Sequence, residues 1–287
     1  MNEITLGDVS VTRVEEMHGP VGMTPEQFFP GWSGEDWREN RDWLVPDHLD
    51  AESDIVQVAM QTWALRSEGR TILVDTGIGN DKPRPAVAAW DHLSLGYLDN
   101  LAKAGIQPED VDLVVNTHLH VDHVGWNTML EDGKWVPTFP KARYLMGRTE
   151  LEHWRANDEG ETGEILADSV QPILDAGLAE LVDMDHVLSP EVRLIPTPGH
   201  TPGHVSVMIE SEGQTAVITG DMTHHPCQMA HPDWSPPFDT DRKASALMRR
   251  KMFAQWADQP ILVIGTHYAG PTAGHVKTDG EAFRFDA

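Results

Sequence analysis

Thr117-His118-Leu119-His120-Val121-Asp122-His123 sets three imidazoles and a carboxylate within six residues, directly after the apolar run Val111 to Val115. Residues two apart on an extended chain leave the same face, so His118 and His120 can converge on one ion while Asp122 and His123 turn toward a second. Imidazole nitrogens with a carboxylate suit zinc or another first-row divalent ion better than calcium or magnesium, which take mostly oxygen. The stretch reads as a metal site at a strand end. Taken alone, a solvated His-rich turn would carry the same letters, so the rest of the chain has to decide.

Three further apolar runs end in residues of the same kinds. Glu191 to Ile195 leads into Pro196-Thr197-Pro198-Gly199-His200, Ala216 to Thr219 into Gly220-Asp221, and Ile261 to Gly265 into Thr266-His267. Sites of this type form where strand ends meet. Ile55 to Leu65 and Thr71 to Val74 read as strands paired across Ser67-Glu68-Gly69, and the second ends in Asp75-Thr76-Gly77, where Asp75 could orient a metal-bound histidine.

Around these runs, residues 4 to 15 read as a hairpin turning at Gly7-Asp8, and helical patterns cover 94 to 105, 148 to 156, 163 to 175 and 240 to 258. In the last helix Ala244, Leu247, Met248, Met252 and Trp256 share a face, and acidic residues occupy the first turn. Strands come first and helices afterwards in each half, which predicts two mixed sheets packed together with helices outside. Residues 17 to 53 lack either period but concentrate Phe28, Phe29, Trp32, Trp37 and Trp43 among Gly and Pro. The expectation there is a cap-like loop over a pocket, with Phe28, Phe29 and Trp32 as its apolar wall.

No linker or repeat divides the 287 residues, so one domain spanning 1–287 is expected. With 40% hydrophobic residues and a mean hydropathy of -0.38, the composition is that of a soluble globular protein. No apolar run approaches the ~18 residues of a membrane span. The N-terminus carries no signal-peptide pattern, which gives a cytoplasmic expectation. A single cysteine, Cys227, excludes an internal disulfide framework. The net charge of -25, from 46 acidic and 21 basic residues, opposes nucleic-acid binding and leaves a small molecule as the expected partner of a monomer or homodimer.

The ordered set His118-x-His120-x-Asp122-His123, His200, Asp221 and His267, with the Asp-Thr-Gly turn at Asp75, resembles the metallo-β-lactamase superfamily over roughly residues 54 to 275. The resemblance implies an α/β fold of αββα sandwich type, two mixed β-sheets with helices on the outer faces. It also implies a dinuclear site: His118, His120 and His200 around one Zn2+, Asp122, His123 and His267 around a second, and Asp221 bridging. Other first-row divalent ions suit the same donors.

Within the superfamily the chain looks most like the N-acyl homoserine lactonases and the methyl-parathion-type hydrolases. A metal-bridging hydroxide opening a small neutral lactone or ester, in the manner of a quorum-quenching lactonase, is the activity that this implies. Asp122 would accept a proton. A phosphotriesterase on the same dizinc site is the alternative among enzymes, and a non-catalytic metal-dependent binding protein the alternative outside them. Typical acyl homoserine lactonases have a Tyr three residues after the bridging Asp, where this chain has His224. An imidazole can donate the same hydrogen bond to substrate, which makes His224 the second catalytic candidate.

Overall fold

In β2 (Val9–Pro20), Val9 and Val11 face one side of the sheet and Val14 the other, as a period of two demands. The computed structural model, which describes residues 3–31, 34–157 and 164–287, repeats this division along strand after strand. β1 (Glu3–Leu6) and β2 form the first hairpin. In β3 (Gln57–Ser67), Trp63 and Leu65 turn inward and Ala64 outward; in β4 (Arg70–Val74), Ile72 and Val74 turn inward and Leu73 outward. Both faces are covered, so these strands read as almost unbroken apolar runs.

The first sheet has the order β1-β2-β3-β4-β5-β8-β9, with β5 at Leu113–Val115, β8 at Arg143–Gly147 and β9 at Ala179–Val182. It is antiparallel as far as β4 and parallel beyond. β6 (Thr128–Glu131) and β7 (Lys134–Pro137) form a separate hairpin. The second sheet runs β10 (Val192–Pro196), β11 (Val205–Ser211), β12 (Gln214–Ile218), β13 (Ile261–Ile264), β14 (Ala273–Asp279) and β15 (Ala282–Asp286), with β12 and β13 parallel.

Trp63, Leu65, Ile72 and Val115 of one sheet meet Val192, Val207, Ile218 and Ile264 of the other in the central core. Helices Tyr97–Lys103 and Arg148–Arg155 cover the first sheet through Tyr97, Leu101 and Leu151. Helix Arg242–Trp256 covers the second through Met252, Phe253 and Trp256. The layers are those of the expected αββα sandwich. Among the described residues no helix is long and apolar enough to cross a membrane.

Two expectations need correction. The segment 17–53 is not a structureless loop: β2 continues to Pro20, and helices Pro25–Phe28 and Gly34–Leu44 follow. Thr24 and Gln27 form a capping box with Pro25 in the first turn, a start signal easily lost among the surrounding Gly and Pro residues. Phe28, Leu44 and Leu49 then anchor this arm on Val56, Val58 and Met60. In helix Arg242–Trp256 the buried face is Ser245, Arg249, Met252, Phe253 and Trp256, and Leu247 is 60% exposed. Its first turn holds no acidic residue, because Asp241 is the N-cap, accepting from the Ala244 N–H at 2.9 Å.

Candidate metal centre

Every strand that supplies a candidate ligand points its C-terminal end at one edge of the sandwich. His118, His120 and His123 follow β5, His200 follows β10, Asp221 follows β12 and His267 follows β13. The parallel pairs β4–β5 and β12–β13 bring those ends together.

The predicted ligands fall into two groups, His118, His120, His200 and Asp221 in one and Asp122, His123 and His267 in the other, and the Asp221 carboxylate reaches both. In the first, Nε2 of His118 lies 2.9 Å from Nδ1 of His120 and 3.1 Å from Nε2 of His200, which is itself 2.7 Å from His120 Nδ1. Asp221 Oδ2 stands 3.3 Å from His200 Nε2 and 3.8 Å from His118 Nε2. In the second, Nε2 of His123 and Nε2 of His267 are 3.2 Å apart, and Asp221 Oδ1 is 3.2 Å from the first and 3.0 Å from the second. Asp122 completes this group, its carboxylate oxygens 3.7 Å from His123 Nε2 and 3.5 Å from His267 Nε2.

What the outer ring nitrogens do fixes what the inner ones can do. His123 Nδ1 donates to Asp75 Oδ2 at 2.9 Å, His200 Nδ1 to Asp239 Oδ1 at 2.8 Å, and His267 Nδ1 to the Ala59 carbonyl at 2.9 Å. Thr117 Oγ1 donates to Asp75 Oδ2, which leaves it to accept from His118 Nδ1 at 3.0 Å. Four imidazoles therefore engage their outer nitrogen and turn Nε2 inward, where it offers a lone pair whenever it is free of a proton. Such a cage of lone pairs around a carboxylate fits divalent cations.

Burial holds the His118 and His120 imidazoles well below the usual histidine range and His200 at about 4, which keeps them neutral. At His123 burial pulls the same way, but the Asp221, Asp122 and Asp75 carboxylates outweigh it and raise the imidazole well above that range. Protons and metal ions compete for such a field.

Further residues that the sequence did not mark as part of the site hold the loops. Glu150, on helix Arg148–Arg155, is buried; it accepts from the backbone N–H groups of Leu119 and Gly203 and from the Trp154 indole, tying the His118 loop to the His200 loop. His204 accepts from the Asp221 N–H at 2.8 Å, close against Gly220, where an added Cβ would lie 2.6 Å from His204 Nε2. Glu16 accepts from the Ile78 and Gly79 N–H groups and from the Trp126 indole, bracing the turn after Asp75.

The centre opens into a cavity of about 310 Å3 to which Asp122, Asp221, His224 and His267 contribute the floor and Val21, Met60, Trp90, Trp154 and Phe238 much of the wall. Phe28 lines it. Phe29 does not: it stands behind Phe28, edge-on at 4.8 Å, packed toward His225 and Trp234. Phe28 is the last helical residue and Phe29 the C-cap, where the backbone leaves the helix and the two side chains part. Trp32 lies outside the described residues. His224 is 2% exposed and set between Phe238 and Phe28, with ring centroids at 5.0 and 6.4 Å. Its Nε2 is 3.1 Å from Asp221 Oδ2 but out of line for a hydrogen bond, so both ring nitrogens lack a hydrogen-bond partner.

Residues 61–267 match the family model described as the Metallo-beta-lactamase superfamily. An N-acyl homoserine lactonase of Bacillus cereus is 28% identical over 228 residues, covering 74% of this chain and 82% of that one. The solved structure of hydrolase AbOPH, in the beta lactamase superfamily, is similar with a TM-score of 0.82 at 25% identity, covering 99% of this chain and 96% of that one. AidC, a dizinc quorum-quenching lactonase solved with a product, shares the fold with a TM-score of 0.79 at 24% identity over 99% of this chain and 95% of its own.

Proposed function

This chain belongs to the metallo-beta-lactamase superfamily of hydrolases, and from that membership we propose that it opens a small neutral lactone or ester at a dinuclear zinc centre. One observation carries the reading: Asp221 turns its two oxygens toward two separate groups of imidazole lone pairs beneath an apolar pocket. Asp221 Oδ1 is buried and accepts no hydrogen bond, although imidazole nitrogens stand 3.0 and 3.2 Å away. That oxygen suits a cation better than a proton donor. His118, His120 and His200 would hold one ion, Asp122, His123 and His267 the other, and Asp221 both; the nitrogen-rich set favours zinc.

Bound there, the metal pair would supply an activated water and a Lewis acid for the carbonyl. The chain's own groups do the rest. We assign proton transfer to Asp122, whose side chain is 12% exposed and lines the pocket, so that it can take a proton and pass it to the leaving oxygen as the C–O bond breaks. His224 is assigned the hydrogen bond to the substrate carbonyl, its free nitrogens being the polar groups beside the apolar wall. Val21, Met60, Phe28 and Phe238 exclude water and receive an apolar substituent. The lactone class comes from relatives named N-acyl homoserine lactonases, and residues 1–287 are taken as one domain whose N-terminal arm helps to enclose the pocket.

The test is hydrolysis of a chromogenic lactone and a chromogenic ester by zinc-reconstituted protein. Turnover that a chelator stops and zinc restores supports the reading. A fully zinc-loaded protein that cleaves neither defeats it.

A further inference from the structure

A closed loop brings Val87 and Trp90 to the pocket. Its stem is pinned where Asn80 exchanges two hydrogen bonds with the backbone of Leu95, at 2.9 and 3.0 Å, and where the His92 N–H donates to the Lys82 carbonyl at 2.8 Å. Inside it the Arg84 N–H donates to Asp91 Oδ1. The loop is thus a compact unit with two inward side chains, Lys82 and Arg84, both with 0% exposure, and of these Arg84 makes the two-pronged contact with the body.

Arg84 forks onto Asp168, with guanidinium N–H donors 2.8 Å from Oδ2 and 2.9 Å from Oδ1. Lys82 Nζ donates to Thr128 Oγ1 at 2.8 Å and lies 3.9 Å from the Trp135 ring centroid. Asp168 sits in a π-helical turn, Leu166–Val170, immediately after Ile165, which also lines the pocket. Two buried cations against one buried carboxylate make a poor stability device, since apolar residues of similar volume usually serve as well or better. A rigid bidentate fork does fix geometry. π-turns also recur at functional sites.

We infer that the Arg84–Asp168 fork is a specificity-positioning pair: it fixes where Val87 and Trp90 on the loop stand relative to Ile165 in the lining of the pocket and so sets which apolar substituent the pocket accepts. The pair touches none of the candidate metal ligands and acts through those three side chains. The inference rests on the proposed lactone or ester substrate for its kinetic test, and on the pocket alone for its binding test.

Arg84→Met removes the excess cation and leaves Lys82 with Asp168, so the fold should tolerate it. With a γ-lactone bearing a long alkyl chain, KM should rise about tenfold at unchanged kcat, while an unsubstituted γ-lactone stays within about twofold. The Kd of a neutral fluorescent probe, N-phenyl-1-naphthylamine, should rise alongside. Lys82→Met, which spares the fork, should leave both lactones and the probe within about threefold. If Arg84→Met does not fold, Arg84→Lys keeps the charge without the fork and should shift KM and Kd in the same direction. Equal losses for long and short lactones, no loss for either, or a Lys82 variant matching the Arg84 variant would overturn the inference. If the wild type cleaves no lactone or ester, the proposed function fails separately and the probe still decides the positioning role.

Discussion

His200 Nδ1 donates to Asp239 Oδ1 across 2.8 Å, and the same carboxylate has the Arg249 guanidinium 3.5 Å from its other oxygen. Asp239 therefore reaches the first ligand group from the loop before helix Arg242–Trp256, with its charge balanced from the helix itself. Asp239→Asn should keep the shape while weakening the pull on the His200 proton, lowering metal affinity about 10- to 100-fold at that position. Chelator competition on the reconstituted protein measures it; unchanged retention would detach Asp239 from the metal.

Asp221 and His267 predict how the two positions come apart. The zinc-reconstituted wild type should hold about two ions per chain, since seven ligands are too many for one tetrahedral ion. His267→Ala should lose the second ion in preference, and Asp221→Ala should lose activity and at least one ion. Elemental analysis gives the answer, and a wild-type stoichiometry of one would end the dinuclear reading.

The parts of this arrangement that were readable in the sequence share a property: each is announced locally. β5, β12 and β13 are short runs with apolar ends, and a candidate ligand sits shortly beyond each of them, so strand and site are legible together. The hairpin of β14 and β15 has a local signal too, Asp279-Gly280 between alternating residues, but the expectation stopped at His267. Asp239 and Glu150 are of another kind. Nothing near Asp239 marks it as the partner of His200, 39 positions away, and Glu150 looks like any acidic residue opening a helix. Their roles arise only when the fold brings distant loops together. Leu247 shows the limit of periodicity, because a polar buried strip of Ser245 and Arg249 displaces the apolar face that its spacing suggests.

Lys82 supplies a pH test. Burial chiefly, with Arg84 adding to it against the opposing pull of Asp168, lowers its ammonium from the usual 10.5 to about 8. A folded pKa below the unfolded one means that the charged form costs stability in the fold, and that cost is relieved as pH rises from about 8 to 10.5. Measured against Lys82→Met, the wild type should gain stability across that window, with a slope of at most about 1.4 kcal/mol per pH unit. Denaturation at matched pH values reads the difference. A flat difference would place the Lys82 pKa at its ordinary value.

His224 lies 5.0 Å from Phe238 by ring centroids with both nitrogens unpartnered, so removing it leaves the metal ligands intact. His224→Ala should lower kcat and kcat/KM together by about 10- to 1000-fold with full metal content. His224→Tyr, which restores a donor, should recover part of the loss. Wild-type kinetics in the Ala variant would return His224 to a packing role.

Phe28 and Phe29 separate substrate preference from stability. Both are buried and in edge contact, but Phe28 lines the cavity and Phe29 backs it. If the wall receives an acyl or alkyl chain, kcat/KM across a series of lactones should climb with chain length, each buried methylene adding up to ~0.8 kcal/mol, or about fourfold. Phe28→Ala opens the wall at the point of contact, so the climb should flatten. Phe29→Ala removes a side chain the substrate never meets; it should cost about 3 to 5 kcal/mol of stability and leave the slope of the series unchanged. The chemistry at the floor is common to both variants, so metal content and the rate on the shortest lactone serve as internal controls. In a wider panel with aryl esters, phosphotriesters and β-lactams, a lactone or aryl ester should lead, because the pocket wall is apolar and no described Lys or Arg lines it to meet a carboxylate. A phosphotriester or a β-lactam ahead by about tenfold under zinc-replete conditions would reverse the assignment.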